Sequence, residues 1–457
     1  MNAITVNEIV KATAGKLIDG DGNAEVSGVS TDSRKTGVND VFFPIVGEVH
    51  DAHKFIPQVV ENGCRTIVLS EEEAAAGTDG CNVILVDDTL AALQALAKYY
   101  LGKLNVKVIA VTGSVGKTTT RDMVYYICSE KYKTGRTVGN FNNDIGVPLT
   151  IFSLDDTMEV AVLEEGMDHF GEIHRLVDIT RPDVGIITNI GISHLENLGS
   201  RENIRKAKME ITDYFGPDNV LVINESCDLL NRSDIKGTYK VVTAGGDEGE
   251  DYHVCDICDL GEDGIKFTLK TLNKERQVVL AVPGAHNAIN AALATAACMQ
   301  IGVSLDQAVK GLANLRLTEK RLSLKEANGI KVIDDTYNAA PDSMKSAIST
   351  LVNTKGGRKV VILGGMNELG PDSVKYHEEV GRFAAESGVE LIVGIEEKAK
   401  DIVKGAESCN KGRALWFESK EKLYPELNSL IEQGDVVLVK ASRSLEMEKV
   451  VEKLLSE

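Results

Sequence analysis

Short runs rich in Val, Ile and Leu recur along the chain, separated by segments of helical, amphipathic character. VKVIAV (106–111), EVAVLE (159–164), VGIITNI (184–190) and NVLVIN (219–224) are expected to be strands of a mostly parallel sheet covered by helices. A later set, KVIDD (331–335), KVVILGG (359–365), ELIVGI (390–395) and DVVLVKAS (435–442), repeats the alternation after a pause around 313–319. Before both, residues 1 to about 86 alternate short strands such as VFFPIV (41–46) and TIVL (66–69) with helices, and the opening residues form a short amphipathic helix. A helix over 91–101 leads into the second unit, and an alanine-rich helix over 288–300 is expected to pack tightly. HVCDICDLGEDGIKFTLK (253–270) is expected to form two strands around a Gly-Glu-Asp-Gly turn, and GGDEGEDY (245–252) a solvated acidic turn. The expected fold class is α/β in three domains, over 1–86, 87–315 and 316–457. The last carries no GxGxxG, so it is assigned no dinucleotide.

Composition narrows the function. A chain of 457 residues is too long for one core, and 43% hydrophobic content supplies several. A net charge of -19 leaves no excess of Lys or Arg for phosphates, which excludes a nucleic-acid partner. No apolar run is long enough to cross a bilayer, and the N-terminus lacks the layout of a signal peptide. A cytoplasmic protein is expected, without membrane insertion, and nothing in the sequence demands more than a monomer. The eight cysteines are scattered and read as free thiols. Cys255 and Cys258 form a CxxC near His253, but no second CxxC completes a zinc site, so a strand is preferred to a metal site there.

The strongest chemical signal is VTGSVGKTTT (111–120), a strand running into a glycine-rich turn and then a helix. Backbone N–H groups of such a turn face phosphates, Lys117 offsets their charge, and Thr118 offers a hydroxyl to a magnesium ion. The loop departs from the common form. Val111 stands where an early glycine is usual, so the first usable glycine is Gly113 and the loop reads TGxxGKTT. A nucleotide site also needs a metal-holding carboxylate at a neighbouring strand end, and Glu164 and Glu165 stand at such an end, where acidic side chains are costly unless paired or bound to a cation.

Further candidates lie at the carboxyl edge of the expected sheet, where open α/β folds bind ligands. With a strand ending at Ile190, His194 falls in a loop there. Spacing alone places Lys208 on a solvated helix face with Arg205 and Lys206. Asn140, Asn142 and Asn143 either make a turn or donate to phosphate and sugar oxygens. His286, Asn287 and Asn290 open a helix, where they cap it or reach a base. Asp334 and Asp335 close another strand at a ligand-facing edge.

These pieces occur in the order seen in one family. Through TDSRKTGVNDVFFPIVGEVHDAHKF, TGSVGKTTT, NFNNDIGVPLT, VLEEGMDHFGEI, TNIGISHLENLGS, KAKMEI, GAHNAINAALA, DDTYNAAPDSM, GGMNELGPDSVKYHEEVG and DVVLVKASRSLEME, the chain resembles the Mur ligases over nearly its whole length. DDTYNAAPDSM points to the member that adds a dipeptide. The resemblance implies a small N-terminal uridine-nucleotide domain, a central P-loop ATPase-like domain and a Rossmann-like C-terminal domain. It implies that Gly113, Ser114, Val115, Gly116, Lys117, Thr118 and Thr119 hold the phosphates of ATP, with Lys117 on the β- and γ-phosphates. Asn287, Arg321 and Asp335 would contact the nucleotide. Thr118 and Glu164 would hold one magnesium ion, Glu164 being preferred to Glu165 because the family pattern is E-x-G and Gly166 fixes the register. His194 would bind a second magnesium ion with Lys208, which matches a lysine often carried as a carbamate. Lys117, Lys208 and His194 would form the catalytic group. Asp32, Ser33 and Arg34 would lie near the uridine diphosphate, and Asn142, Asn143, Thr188 and Asn189 would line the substrate cleft. Ala52, Lys320, Ala340 and Ala441 depart from the family pattern, and none of them removes a phosphate or metal ligand.

The implied reaction joins D-alanyl-D-alanine to UDP-N-acetylmuramoyl-tripeptide through an acyl phosphate, with release of ADP and phosphate. Two rivals are carried forward. One is another amide ligase of the superfamily, for example one that extends a folate with glutamate. The other is a P-loop switch that hydrolyses nucleotide to control a partner. A switch needs neither a uridine-type domain nor the His194 and Lys208 pair.

Overall fold

The computed structural model describes residues 1–47, 50–316 and 322–456. Three sheets of α/β type account for most of them. The central sheet has nine strands in the order Glu275–Leu280, Ile265–Thr271, Tyr252–Asp259, Lys240–Gly245, Val220–Ile223, Val184–Ile187, Lys107–Thr112, Val160–Glu164 and Thr134–Arg136. From Tyr252–Asp259 to Thr134–Arg136 every pairing is parallel, and Ile265–Thr271 alone runs against the rest, pairing antiparallel with Tyr252–Asp259 on one side and Glu275–Leu280 on the other. The middle strands are buried on both faces, all but the exposed Lys107 at the start of one, which is why their sequences are near-continuous apolar runs rather than alternating ones. The C-terminal sheet has six strands, parallel except for its first pair, Ser323–Ala327 with Ile330–Asp334. The N-terminal sheet has five strands and is parallel except where Lys16–Asp19 pairs with Asn82–Leu85.

The helix Thr89–Lys103 starts earlier than the apolar pattern predicts, because Asp88 caps it by accepting from the N–H groups of Leu90 and Ala91. Its Leu93, Leu96 and Ala97 share one apolar cluster with Ile4 and Ile9 on one side and Val147, Ile151 and Leu163 on the other. It therefore packs the N-terminal unit onto the central sheet. The alanine-rich helix His286–Gln300 buries eleven of its residues against the helix Lys117–Ser129 and the central sheet, as its small side chains predict.

Several local expectations are corrected. The strand expected over 41–46 ends at Phe42, two residues before Pro44. The strand expected to end at Ile190 stops at Ile187, and Thr188 and Asn189 turn toward the phosphate loop. The acidic turn over 245–252 is not wholly solvated. Glu250 is buried, its carboxylate accepts from Ser226 and from the Asp247 N–H, and burial raises its pKa. The expected hairpin over 253–270 is present, with Cys255 and Cys258 on its first strand at a register shift. Among the described residues no helix is long and apolar enough to cross a membrane.

Candidate active site

A cavity of about 620 Å³ opens between the carboxyl edge of the central sheet and the C-terminal sheet. The phosphate loop forms one wall. The strand Lys107–Thr112 delivers the chain to Gly113, whose φ of +148° and close approach to Thr188 admit no side chain: a Cβ there would sit 1.8 Å from Thr188 Oγ1. Gly116, at φ +86°, turns the chain into the helix Lys117–Ser129. The first N–H groups of that helix lack intrahelical acceptors and its dipole favours an anion at this end. Lys117 lies back over the loop, its Nζ donating to the Gly113 carbonyl at 2.7 Å.

Thr188 and Asn189 brace this loop. Thr188 Oγ1 donates to the Val115 carbonyl at 2.6 Å, and the Asn189 amide both donates to that carbonyl and accepts from the Val115 N–H, each at 3.0 Å. Both line the cavity, with their polar atoms turned to the loop. Ser114 ties the loop to the next one by accepting from the Gly191 N–H at 2.9 Å.

Glu164 ends the strand Val160–Glu164 beside the loop and is buried. Thr118 Oγ1 donates to its Oε1 at 3.2 Å and Asn142 Nδ2 donates to the same oxygen at 3.0 Å. Arg121 Nη1 donates to its Oε2 at 3.2 Å. The cluster of a hydroxyl and a carboxylate oxygen suits a hard divalent cation. Glu165, the next residue, faces the opposite side of the sheet. Its Oε1 accepts from Thr180 and its Oε2 has no hydrogen-bond partner among the described residues. Burial pushes its pKa up to about 8, with the Thr180 hydrogen bond only partly opposing it. The E-x-G register thus selects the carboxylate that faces the loop.

His194 lies in the adjoining loop at φ +63°, and its Nδ1 is 2.6 Å from Glu368 Oε2 and 3.0 Å from Asp168 Oδ1. Neither oxygen lies in line to accept a hydrogen bond from that buried nitrogen. Burial alone would lower the pKa of the imidazole, but the two carboxylates outweigh it and raise the value. Donor atoms of Asp168, His194 and Glu368 all lie within 4.8 Å of one another.

Lys208 is not on a solvated face. It is buried on the helix Arg201–Met209 together with Ile204 and Ala207, while Lys206 is exposed. Burial, and secondarily the charge of Lys117, hold its pKa well below the usual lysine value, which favours the neutral amine. The signal was present in the sequence: Ile204, Ala207, Lys208 and Ile211 repeat at the three- and four-residue spacing of one helical face.

On the opposite wall Asp335 accepts from Lys440 Nζ at 2.5 Å, and Lys440 also donates to the Asn338 carbonyl at 2.7 Å. Asn287 is buried at the start of its helix. It does not cap it, since its Nδ2 donates to the Pro283 carbonyl at 2.8 Å and its Oδ1 accepts from Asn290. His286 shares this wall, its Nδ1 2.7 Å from Ser346 Oγ, and burial lowers its pKa to about 4. Asn143 makes its turn, accepting from the N–H of Gly146, which opens the next helix. Arg321 and Lys320 lie outside the described residues.

Asp32, Ser33 and Arg34 are not among the residues lining the cavity. Asp32 pairs with the exposed Arg34, whose hydrogen bonds lower the Asp32 pKa to about 2. Ser33 is buried and donates to Gln58. The structure adds residues that the sequence did not single out: Arg121, Lys440, Asp168 and Glu368.

Residues 111–298 match the family model described as Mur ligase middle domain, and residues 320–443 match the one described as Mur ligase, glutamate ligase domain. The chain is 38% identical over 455 residues to the UDP-N-acetylmuramoyl-tripeptide--D-alanyl-D-alanine ligase of Bacillus subtilis (strain 168), covering 99% of this chain and 98% of that protein. It is 33% identical to the ligase of the same name from Escherichia coli (strain K12), with 99% of each covered. A crystal structure of MurF from Acinetobacter baumannii matches all of the chain with a TM-score of 0.92 at 34% identity, and all of that chain is covered. The MurF ligase of Thermotoga maritima, solved in complex with ADP, matches with a TM-score of 0.82 at 29% identity, covering 94% of this chain and 98% of that one.

Proposed function

The chain belongs to the Mur ligase family, and from that premise we propose how its residues divide the work of ATP-driven amide formation. It is an ATP-dependent ligase that joins D-alanyl-D-alanine to UDP-N-acetylmuramoyl-tripeptide, a step of peptidoglycan biosynthesis. The observation that carries the assignment of roles is the cavity itself. It sets the phosphate loop, the buried Glu164 and His194 on one wall against Asp335 and Lys440 on the other.

A carboxylate is a poor electrophile. Its oxygen attacks the γ-phosphorus of ATP, the bond to the bridging oxygen breaks, and ADP leaves. The acyl phosphate so formed has a good leaving group. The amine of D-alanyl-D-alanine attacks the acyl carbon, the tetrahedral intermediate expels phosphate, and the nitrogen gives up its proton. Little covalent work falls to the protein, so positioning and charge stabilisation dominate.

Gly113 to Thr119 cradle the phosphates, and Lys117 swings from the Gly113 carbonyl to the β- and γ-phosphates. Thr118 and Glu164 present oxygens to one magnesium ion, and His194 with Lys208 serves a second. Magnesium, when bound, offsets the phosphate charge. Carbon dioxide adds to a neutral amine, the form that burial favours at Lys208: the nitrogen bonds to the carbon and a proton is released, leaving an anionic carbamate whose oxygens would suit a hard cation. Asn287, Asp335 and Arg321 contact the nucleotide. Asn142, Asn143, Thr188 and Asn189 face the substrate cleft, Thr188 and Asn189 also bracing the loop. Asp32, Ser33 and Arg34 hold the uridine diphosphate from outside the cavity, at the far end of a long substrate. Domains over 1–86, 87–315 and 316–457 divide these tasks, in a cytoplasmic monomer.

Phosphate release with ATP alone, and then with each substrate added, tests the reading. Release only when both the tripeptide nucleotide and D-alanyl-D-alanine are present supports it. Release with ATP alone would favour a nucleotide switch, and release with glutamate and a folate would favour the other branch of the superfamily.

A further inference from the structure

The contact between His194 and Glu368 joins two units of the chain. His194 belongs to the edge of the central sheet, and Glu368 to the loop after the C-terminal strand Lys359–Gly364. Both residues hold φ at +63°, a left-handed conformation unfavourable to each side chain.

Each side of the contact is anchored. On the C-terminal side, Asn367 donates through its N–H to Ser442 Oγ at 2.9 Å, and Lys398 Nζ donates to its side-chain oxygen at 2.8 Å. The preceding Met366 N–H donates to the buried His377. On the central side, Gly191 and Ser193 bond to Ser114 of the phosphate loop. The backbone closes the junction, with the Glu196 N–H donating to the Glu368 carbonyl at 3.1 Å. The side chains then bring two carboxylates, one from each unit, against the same imidazole nitrogen. Two anions and an imidazole with all donor atoms inside 4.8 Å form a set that a divalent cation would satisfy.

We propose that the C-terminal unit completes the His194 cation site with Glu368, so that cation binding and closure of that unit onto the central sheet reinforce one another. The inference rests on the ligase reading above and adds to it a coupling between metal and closure. Asp168 and His194 are present whatever the position of the C-terminal unit, whereas the Glu368 charge arrives only on closure. A cation there binds more tightly to the closed form, and by linkage it must favour closure by the same factor. The acyl phosphate would then form only in a site already shut to water.

Glu368→Gln separates this role from simple docking. It keeps the carbonyl that accepts from Glu196 and most of the side-chain volume, but removes the charge. The test uses the full chain with a non-hydrolysable ATP analogue. Bound manganese is counted by electron paramagnetic resonance, and the radius of gyration is measured by X-ray scattering. Wild type should bind two manganese ions and contract as the second one fills. Glu368→Gln should bind one ion as wild type does, bind the other about 10-fold or more weakly, and lose the manganese-dependent contraction. Glu368→Asp, which retains the charge on a shorter arm, should recover part of both. Wild-type manganese affinities and contraction in Glu368→Gln would overturn the proposal. Failure of the wild type to bind the ATP analogue at all would overturn the ligase reading instead.

Discussion

Arg121 Nη1 lies 3.2 Å from Glu164 Oε2, and both side chains are buried. Two further bonds, from Arg121 Nε at 3.1 Å and Nη2 at 2.7 Å to Asp122 Oδ1, fix the guanidinium, and Arg136 pairs with that oxygen from the other side. The carboxylate assigned to the first magnesium ion is therefore aimed by a fixed cation, while its Oε1 faces Thr118.

Arg121→Lys keeps the charge but loses the planar fork that reaches Glu164 and Asp122 together. The magnesium concentration giving half-maximal rate should rise about 10-fold or more, with a smaller change in KM for D-alanyl-D-alanine. An unchanged magnesium requirement in the folded variant would show that Glu164 does not depend on Arg121.

Gly113→Ala should abolish tight nucleotide binding. The added methyl meets Thr188 Oγ1 at 1.8 Å, at a φ of +148° that alanine resists, so the loop must move off its phosphate-binding path. Calorimetric titration with ADP should show affinity lower by about 100-fold, the equivalent of roughly 3 kcal/mol. Binding within a few-fold of wild type would contradict the loop geometry.

Glu165 sets a stability slope with pH. Its carboxyl has a folded pKa of about 8 against an ordinary 4.5, so between those values the folded chain holds a proton that the unfolded chain has released. Stability is highest with respect to this group below about pH 4.5 and falls as pH rises through the window to about 8. Glu165→Gln keeps an acceptor for Thr180 and cannot ionise. Its unfolding free energy should exceed that of wild type at about pH 8 by on the order of 1–3 kcal/mol, seen as a higher thermal midpoint, and the gap should close toward pH 5. A gap independent of pH would show that Glu165 ionises alike in both states.

Lys208→Ala should lose nearly all activity, and small carboxylates such as formate or acetate should restore part of it by supplying the missing anionic oxygens. ADP binding should stay near the wild-type value, because Lys208 lies outside the cavity lining. Turnover like that of wild type in the alanine variant would remove the carbamate from the account.

The chemistry legible in the sequence is the chemistry with local signatures. A strand, a glycine turn and a helix locate the phosphate loop, and E-x-G distinguishes Glu164 from Glu165, which the fold turns to opposite sides of the sheet. Lys208 is easily misread because its basic neighbours Arg205 and Lys206 suggest a solvated face, and only set against Ile204, Ala207 and Ile211 does its position at helical spacing hint at the inner one. Arg121 stands three residues after Thr118, on the same helical face, and the sequence carries that hint too. Glu368 carries none. It lies 174 residues from His194 in the numbering, and only the docking of one sheet on another brings them together. Lys440 is likewise a strand-end residue that becomes meaningful through its partner Asp335.

The central claim is that the phosphate loop activates a carboxylate, and heavy-oxygen transfer tests it most directly. With the terminal carboxylate of the tripeptide nucleotide labelled, ATP and D-alanyl-D-alanine are added and the released phosphate is analysed by mass spectrometry. The acyl-phosphate route predicts one labelled oxygen in each phosphate released. Phosphate free of label would contradict it, because the carboxylate oxygen would never have been bonded to phosphorus.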